Sequence, residues 1–173
     1  MRQTQKTRSD YRAFSTLTTR WIDNDIYGHM NNAVHYQLFD TAVNGHLLEN
    51  GVLDLKLGNT VFLVLETGCQ YFKELAFPDI ITAGIQVSKL GTSSVTYAVG
   101  LFSGEESFAA AQGQFVHVNV NRRTRRPSEL SSETIKYLKY WHPVSTTKNT
   151  VLPSFKSKTP FSSKCPFTAV SNN

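Results

Sequence analysis

One long stretch of helical periodicity constrains this chain more than any other feature. Between Ala33 and Asn50, Val34, Leu38, Ala42, Gly45 and Leu48 fall on one face, Phe39, Val43 and Leu47 widen it, and the pattern stops at Gly51. A helix apolar over so much of its girth is predicted to be largely buried, so other elements have to wrap it. The flanking sequence is β-rich. Tyr11 to Ile22, with its Thr and aromatic residues, reads as a first strand with Phe14 and Trp21 among its buried positions. After a loop, Val61-Phe62-Leu63-Val64-Leu65 opens a strand that runs through Tyr71 and Phe72, with a bulge at Gly68, and is stopped by Pro78. Ile80 to Leu90, Ser94 to Phe102 and Ser107 to Asn121 are three more strands, divided by Gly91-Thr92-Ser93 and Ser103-Gly104-Glu105-Glu106. A lone helix after the first of several strands implies an α+β plan in which one antiparallel sheet wraps one helix. Gly45 is disfavoured in a helix by about 1 kcal/mol against Ala, which suggests that another backbone comes close there.

The stretch that joins the first strand to the helix has the composition of a site. Asp23-Asn24-Asp25-Ile26-Tyr27-Gly28-His29-Met30-Asn31-Asn32 packs two carboxylates, a glycine, an imidazole and two carboxamides into one loop. Asn31 or Asn32 is suited to cap the helix, and the loop delivers its side chains to a helix N-terminus, where free N–H groups favour an electron-rich partner. Asp23 reads as a turn residue that holds the loop. It is also close enough to Asp25 to raise that carboxyl's proton affinity by like-charge repulsion, against the opposite pull of the helix terminus. His29 reads as a hydrogen-bonding brace.

Composition narrows the remaining classes. The 173 residues, 40% hydrophobic, are enough for one core and one domain. The net charge of +5 is concentrated at the C-terminal end: residues 141–173 carry four lysines and no acid, whereas residues 1–140 hold 14 basic and 13 acidic groups. The folded part is therefore nearly neutral. Its one basic run, Arg122-Arg123-Thr124-Arg125-Arg126, has no interleaved aromatics, so nucleic-acid binding is not expected. Residues 1–140 are read as the domain and 141–173, rich in Ser, Thr, Lys and Pro, as a flexible tail, with a short helix from Ser131 or Ser132 to about Tyr140 closing the domain. Cys69 and Cys165 have no metal-ligand spacing, and His29, His35 and His46 lack the i, i+4 relation, so no metal is expected. No apolar run is long enough to span a bilayer, and a soluble cytoplasmic protein is expected. The first twelve residues carry Arg2, Lys6, Arg8 and Arg12 against the single acid Asp10, a composition shared with organelle-targeting leaders.

Arg20-Trp21-Ile22-Asp23-Asn24-Asp25, then Gly28-His29-Met30-Asn31-Asn32 and Tyr36, resembles the signature loop of hotdog-fold acyl-CoA thioesterases of the 4-hydroxybenzoyl-CoA thioesterase type, and the likeness extends over roughly the first 140 residues. The resemblance implies a hotdog fold, a five-stranded antiparallel sheet around one long helix, in a homodimer or homotetramer. It implies hydrolysis of an acyl-CoA to acid and CoA without a cofactor. Asp25 would be the catalytic carboxylate, as general base or nucleophile, with Gly28 and the N–H groups around Asn32 completing the catalytic loop. His29 and Tyr36 would contact substrate, and Lys89, Gly91, Thr92 and Ser93 of the hairpin, with Arg123, would contact the coenzyme A nucleotide. Asp40 and Glu49, on the helix, are the alternative carboxylates of a second branch of the fold. An acyl-carrier-protein thioesterase and a non-catalytic acyl-CoA-binding module are the competing functions.

Overall fold

The central helix begins where Asn31 turns its side chain back on the chain. Its Oδ1 accepts the N–H of Ala33 at 2.9 Å, and its carbonyl accepts that of Val34 at 2.9 Å. From there α1 runs over Asn32–Glu49 and buries Val34, His35, Leu38, Phe39, Ala42, Val43 and Leu47. The computed structural model describes residues 4–142, so the tail expected from residue 141 lies outside the described residues apart from Trp141 and His142.

The strands are β1 (Ala13–Thr18), β2 (Thr60–Tyr71), β3 (Ile80–Leu90), β4 (Ser94–Ser103) and β5 (Ala111–Asn121), followed by α2 (Ser132–Tyr140). They form one sheet in the order β1-β3-β4-β5-β2, with every neighbouring pair antiparallel. This is the hotdog arrangement of sheet and helix expected above. Strand alternation puts Ile81, Ala83, Ile85 and Val87 of β3 and Val95, Tyr97, Val99 and Leu101 of β4 into one core with the apolar side of α1. Gly113 of β5 permits the closest approach, since a Cβ there would lie 2.5 Å from the Phe39 ring. Ser131 caps α2 by accepting the N–H of Thr134 at 3.1 Å. The core reaches past that helix: Trp141 is buried, and its carbonyl accepts the N–H of Val87 at 3.0 Å.

Several expectations need correction. The first strand ends at Thr18, because the chain turns tightly at Trp21–Asp23, and this leaves Trp21 82% exposed rather than buried; Phe14, on the face of β1 opposite the buried Ala13, is 45% exposed. The β2 bulge falls at Leu65, between the pairs Val64–His117 and Glu66–Val116, and not at Gly68. Nothing lies within 4 Å of where a Cβ at Gly45 would stand, so no backbone approaches there. The last strand starts at Ala111 rather than Ser107, because the segment before it pairs with the N-terminal residues. Lys6 donates its N–H to Gln112 Oε1 at 2.9 Å and accepts that of Ala109 at 2.9 Å. Tyr11 lies buried on the outer face of the sheet against Gly84, Gly100 and Phe102. The basic N-terminal stretch is thus packed on the sheet from residue 4 onwards, where the Thr4 carbonyl accepts Gln112 Nε2 at 3.1 Å.

His117 is 1% exposed, its ring centroid 4.9 Å from that of Phe115, 5.6 Å from Tyr97 and 5.8 Å from Phe62. Burial disfavours the imidazolium and pushes its pKa down from 6.5 to about 4. The folded state therefore binds fewer protons than the unfolded chain between these values. The resulting stability is present above pH ~6.5 and is lost as the pH falls toward ~4, a change of about 3 kcal/mol. Urea unfolding at pH 7 and pH 4.5 is expected to show most of this loss in the wild type and a clearly smaller one in His117→Phe. His35 and His46, lowered in the same direction by burial, account for a remaining slope.

Candidate active site

The loop between β1 and α1 is built around Asp23. Its side chain is 3% exposed and accepts Arg20 Nη2 at 2.7 Å, Arg20 Nε at 3.0 Å and the Arg20 N–H at 2.6 Å. The hydrogen bonds from Arg20 hold the Asp23 carboxyl below the usual carboxylate range, against an opposing push from desolvation. Its backbone carbonyl accepts the N–H of Asn31 at 2.9 Å. One residue thus ties the end of the strand to the helix cap, in keeping with its reading as a turn residue.

Within this frame Asp25 to Gly28 forms a tight turn. The Asp25 carbonyl accepts the Gly28 N–H at 3.2 Å, and Gly28 adopts φ +87°, a conformation open to glycine at little cost. Asp25 Oδ1 accepts the N–H of Tyr27 at 2.8 Å, and Oδ2 lies 3.5 Å from His29 Nδ1. The His29 ring stacks on Tyr27 with centroids 6.1 Å apart. Met30 anchors the far side by donating its N–H to Leu75 O at 2.6 Å, and Asn24 Oδ1 accepts that of Phe77 at 2.9 Å. The carboxylate and imidazole are held together at the start of α1.

A cleft of about 220 Å³ opens beside this junction, lined by His29, Met30, Asn32, His35 and the Tyr71–Leu75 segment that follows β2. Asn31 is engaged with Ala33 and Val34, so the N–H of Asn32 is the first-turn donor left outside the cap. His35 lies one turn into the helix, 3% exposed, with Nδ1 3.3 Å from the Asn31 carbonyl and its ring edge-on to Tyr71 at 4.9 Å. Tyr36 is half-buried behind the cleft, where its ring packs edge-on against Phe39. A carboxylate held against the imidazole of His29, which lines this concave surface together with the first residue of the helix, suits the attack of an oxygen nucleophile on a carbonyl.

The fold brings Asp25, Gly28, His29 and Asn32 together, with Tyr36 one layer behind. It does not bring the nucleotide-binding candidates to them. Gly91 donates its N–H to Ser94 O at 2.8 Å, Ser93 and Thr92 accept those of Asn119 and Leu130, and Lys89 stands in β3 just before this turn. Leu101 pairs with Ala111 at the loop end of the sheet and Ser94 with Val118 at the hairpin end, a separation of seven residues, or about 23 Å at strand rise. Arg123 is at that same far end, where it lines a second cleft of about 410 Å³ with Gly58, Asn59, Asn121 and Arg122. Asp40 is exposed and engaged with Asn44, and Glu49 is exposed at the helix C-terminus, so neither lines the first cleft. Sequence reasoning missed His35, Tyr71, Lys73 and Glu74 as cleft residues. No local pattern marks them, because the cleft arises from how the end of β2 meets the helix N-terminus.

Comparison with known proteins gives a consistent picture. The model of the thioesterase-like superfamily matches residues 18–138. A Pseudomonas aeruginosa protein of known crystal structure is 44% identical over 80% of this chain and 97% of its own, with a TM-score of 0.78. A Staphylococcus aureus protein solved in complex with CoA is 21% identical over 85% of this chain and 93% of its own, at TM-score 0.67. A 1,4-dihydroxy-2-naphthoyl-CoA thioesterase from Synechocystis is 14% identical over 72% of this chain and 93% of its own, at TM-score 0.63. The likeness to the last two is one of fold. No curated protein sequence matches.

The loop geometry separates the two aspartates by role. Asp23→Ala removes the acceptor for three N–H groups and is expected to lower the melting temperature by about 5 °C or more. Asp25→Ala, which loses one turn hydrogen bond, is expected to change it by less than half as much in a thermal melt followed by circular dichroism.

Proposed function

Because the chain belongs to the thioesterase-like superfamily, we propose that it hydrolyses an acyl-CoA thioester to the free acid and CoA at the junction of the acidic loop and α1. The observation that carries this reading is that the Asp25 carboxylate lies 3.5 Å from His29, whose side chain lines the same cleft as Asn32 at the start of the helix. Asp25 is the carboxylate that activates water or attacks the carbonyl directly. As the carbonyl oxygen gains charge, the Asn32 N–H and the positive end of the helix dipole stabilise it. Collapse of the tetrahedral intermediate breaks the C–S bond and releases CoA. His29, beside Asp25 Oδ2, orients the carboxylate.

The active form is a homodimer, or a tetramer built from two such dimers. Support comes from β2, a twelve-residue edge strand with Leu63, Val64 and Leu65 36%, 48% and 71% exposed. A two-fold axis that pairs β2 with its own copy in antiparallel fashion sets the Tyr71 end of one protomer beside the Thr60 end of the other. The cleft with Asn59 and the partner subunit's Arg123 then adjoins the catalytic cleft, and the 23 Å gap within one chain no longer separates thioester from nucleotide. Guanidinium groups there suit the phosphates of coenzyme A. The cytoplasm is the expected location, in keeping with the finding that no described helix is long and apolar enough to cross a membrane.

The test is turnover of matched acyl-CoA and acyl-carrier-protein substrates by the wild type and Asp25→Asn. Release of thiol is expected from the CoA series, with turnover falling by at least ~10²-fold in Asp25→Asn and substrate affinity little changed. Preference for the carrier-protein series would identify the carrier-protein thioesterase. Tight binding of acyl-CoA without turnover by the wild type would identify a binding module.

A further inference from the structure

His35 is a titratable group that the mechanism above leaves idle, although it lines the cleft and is 3% exposed. Its tautomer follows from its partner. Nδ1 lies 3.3 Å from the carbonyl of Asn31, which can only accept, so Nδ1 carries the proton. In a neutral imidazole the other nitrogen, Nε2, is then an acceptor. Two features keep the ring neutral: burial disfavours the cation, and the first turn of α1 presents the positive end of the helix dipole. The Tyr71 ring, 4.9 Å away and perpendicular, fixes the plane of the imidazole. The result is a preset hydrogen-bond acceptor on the cleft wall, one helical turn from the Asn32 N–H.

Such an acceptor has a specific use if the nucleophile is water. A water attacking a carbonyl has two O–H bonds to direct, and a single carboxylate leaves one of them, and hence the lone pair, free to rotate. We propose that His35 Nε2 holds the attacking water as a positioning residue, which makes Asp25 a general base rather than a nucleophile. This rests on the thioesterase reading of the site. One O–H of the water donates to His35, and its proton stays on the water oxygen. The other proton passes to the Asp25 carboxylate as the oxygen bonds to the thioester carbon. The oxyanion forms at the Asn32 N–H, the C–S bond then breaks, and the departing thiolate takes the proton back from Asp25. Water and thioester become acid and thiol, with Asp25 and His35 returned to their starting states.

The two nitrogens can be separated by substitution. His35→Asn reproduces the Nδ1 side of the ring and deletes the Nε2 side, whereas His35→Gln places an amide oxygen near Nε2. With octanoyl-CoA and benzoyl-CoA as probes and full-length protein, kcat is expected to fall by about 10²-fold in His35→Asn at nearly constant KM. His35→Gln is expected to retain kcat within about fivefold, because its amide carbonyl accepts in place of Nε2. Melting temperatures report any loss of structure separately. Full kcat in His35→Asn overturns the proposal. A raised KM at unchanged kcat also overturns it and makes His35 a contact for the substrate arm. Equal loss in both variants together with a lowered melting temperature makes it a structural brace. All three results leave the thioesterase reading intact. If the wild type hydrolyses neither probe nor any other acyl-CoA, that reading fails and the proposal falls with it.

Discussion

The site depends on one buried carboxylate. Asp23 draws the Arg20 guanidinium and backbone N–H onto its oxygens and offers its own carbonyl to Asn31, so a nine-residue excursion is closed at its base. Asn31 is thereby set to cap α1, and the turn from Asp25 to Gly28 is free to present its side chains outward. Hydrogen bonds to an ionised group are among the stronger local interactions, and a residue carrying several of them is costly to lose. The cost of this design is visible on the surface. The same turn that aligns the site throws Trp21, Ile22, Ile26 and Tyr27 into solvent, each more than three-quarters exposed.

A second constraint comes from the sheet. Antiparallel pairing in the order β1-β3-β4-β5-β2 puts the acidic loop and the hairpin with its basic neighbour at opposite ends of the sheet. The same order makes β2 an edge, bulged at Leu65 and apolar along its middle. Both facts have one resolution under the proposed two-fold pairing, since antiparallel self-association of an edge strand necessarily exchanges its ends. Edge pairing and site assembly then become the same event.

What could be read from the sequence divides along physical lines. The buried face of α1 was legible because six apolar residues, Val34, Leu38, Phe39, Ala42, Val43 and Leu47, recur at helical spacing, although Leu48, assigned to the same face, is exposed, and the loop was legible because Asp, Gly, His and Asn crowd together there. Strand ends were less so. Phe14 and Trp21 carry the apolar signature of buried residues, yet the Arg20 to Asp23 contact closes a tight turn that leaves Trp21 facing outward. Gly45 looked like a close-packing glycine and stands in open space. The cleft residues His35, Tyr71 and Glu74 belong to separate elements that meet only through tertiary packing, so nothing local announces them. The pairing of N-terminal residues with Phe108 and Ala109 is of the same kind, a contact across a hundred residues that composition cannot encode.

The central claim is that an acyl-CoA thioester is cleaved where the acidic loop meets α1. The most direct measurement is a crystal structure of the full chain soaked with CoA. The expected result places the CoA sulfur in the cleft between Asn32 and Tyr71, within reach of Asp25, with the phosphates on the basic cleft of a second protomer. A sulfur bound elsewhere on the molecule, or a cleft that stays unoccupied at saturating CoA, would contradict the account.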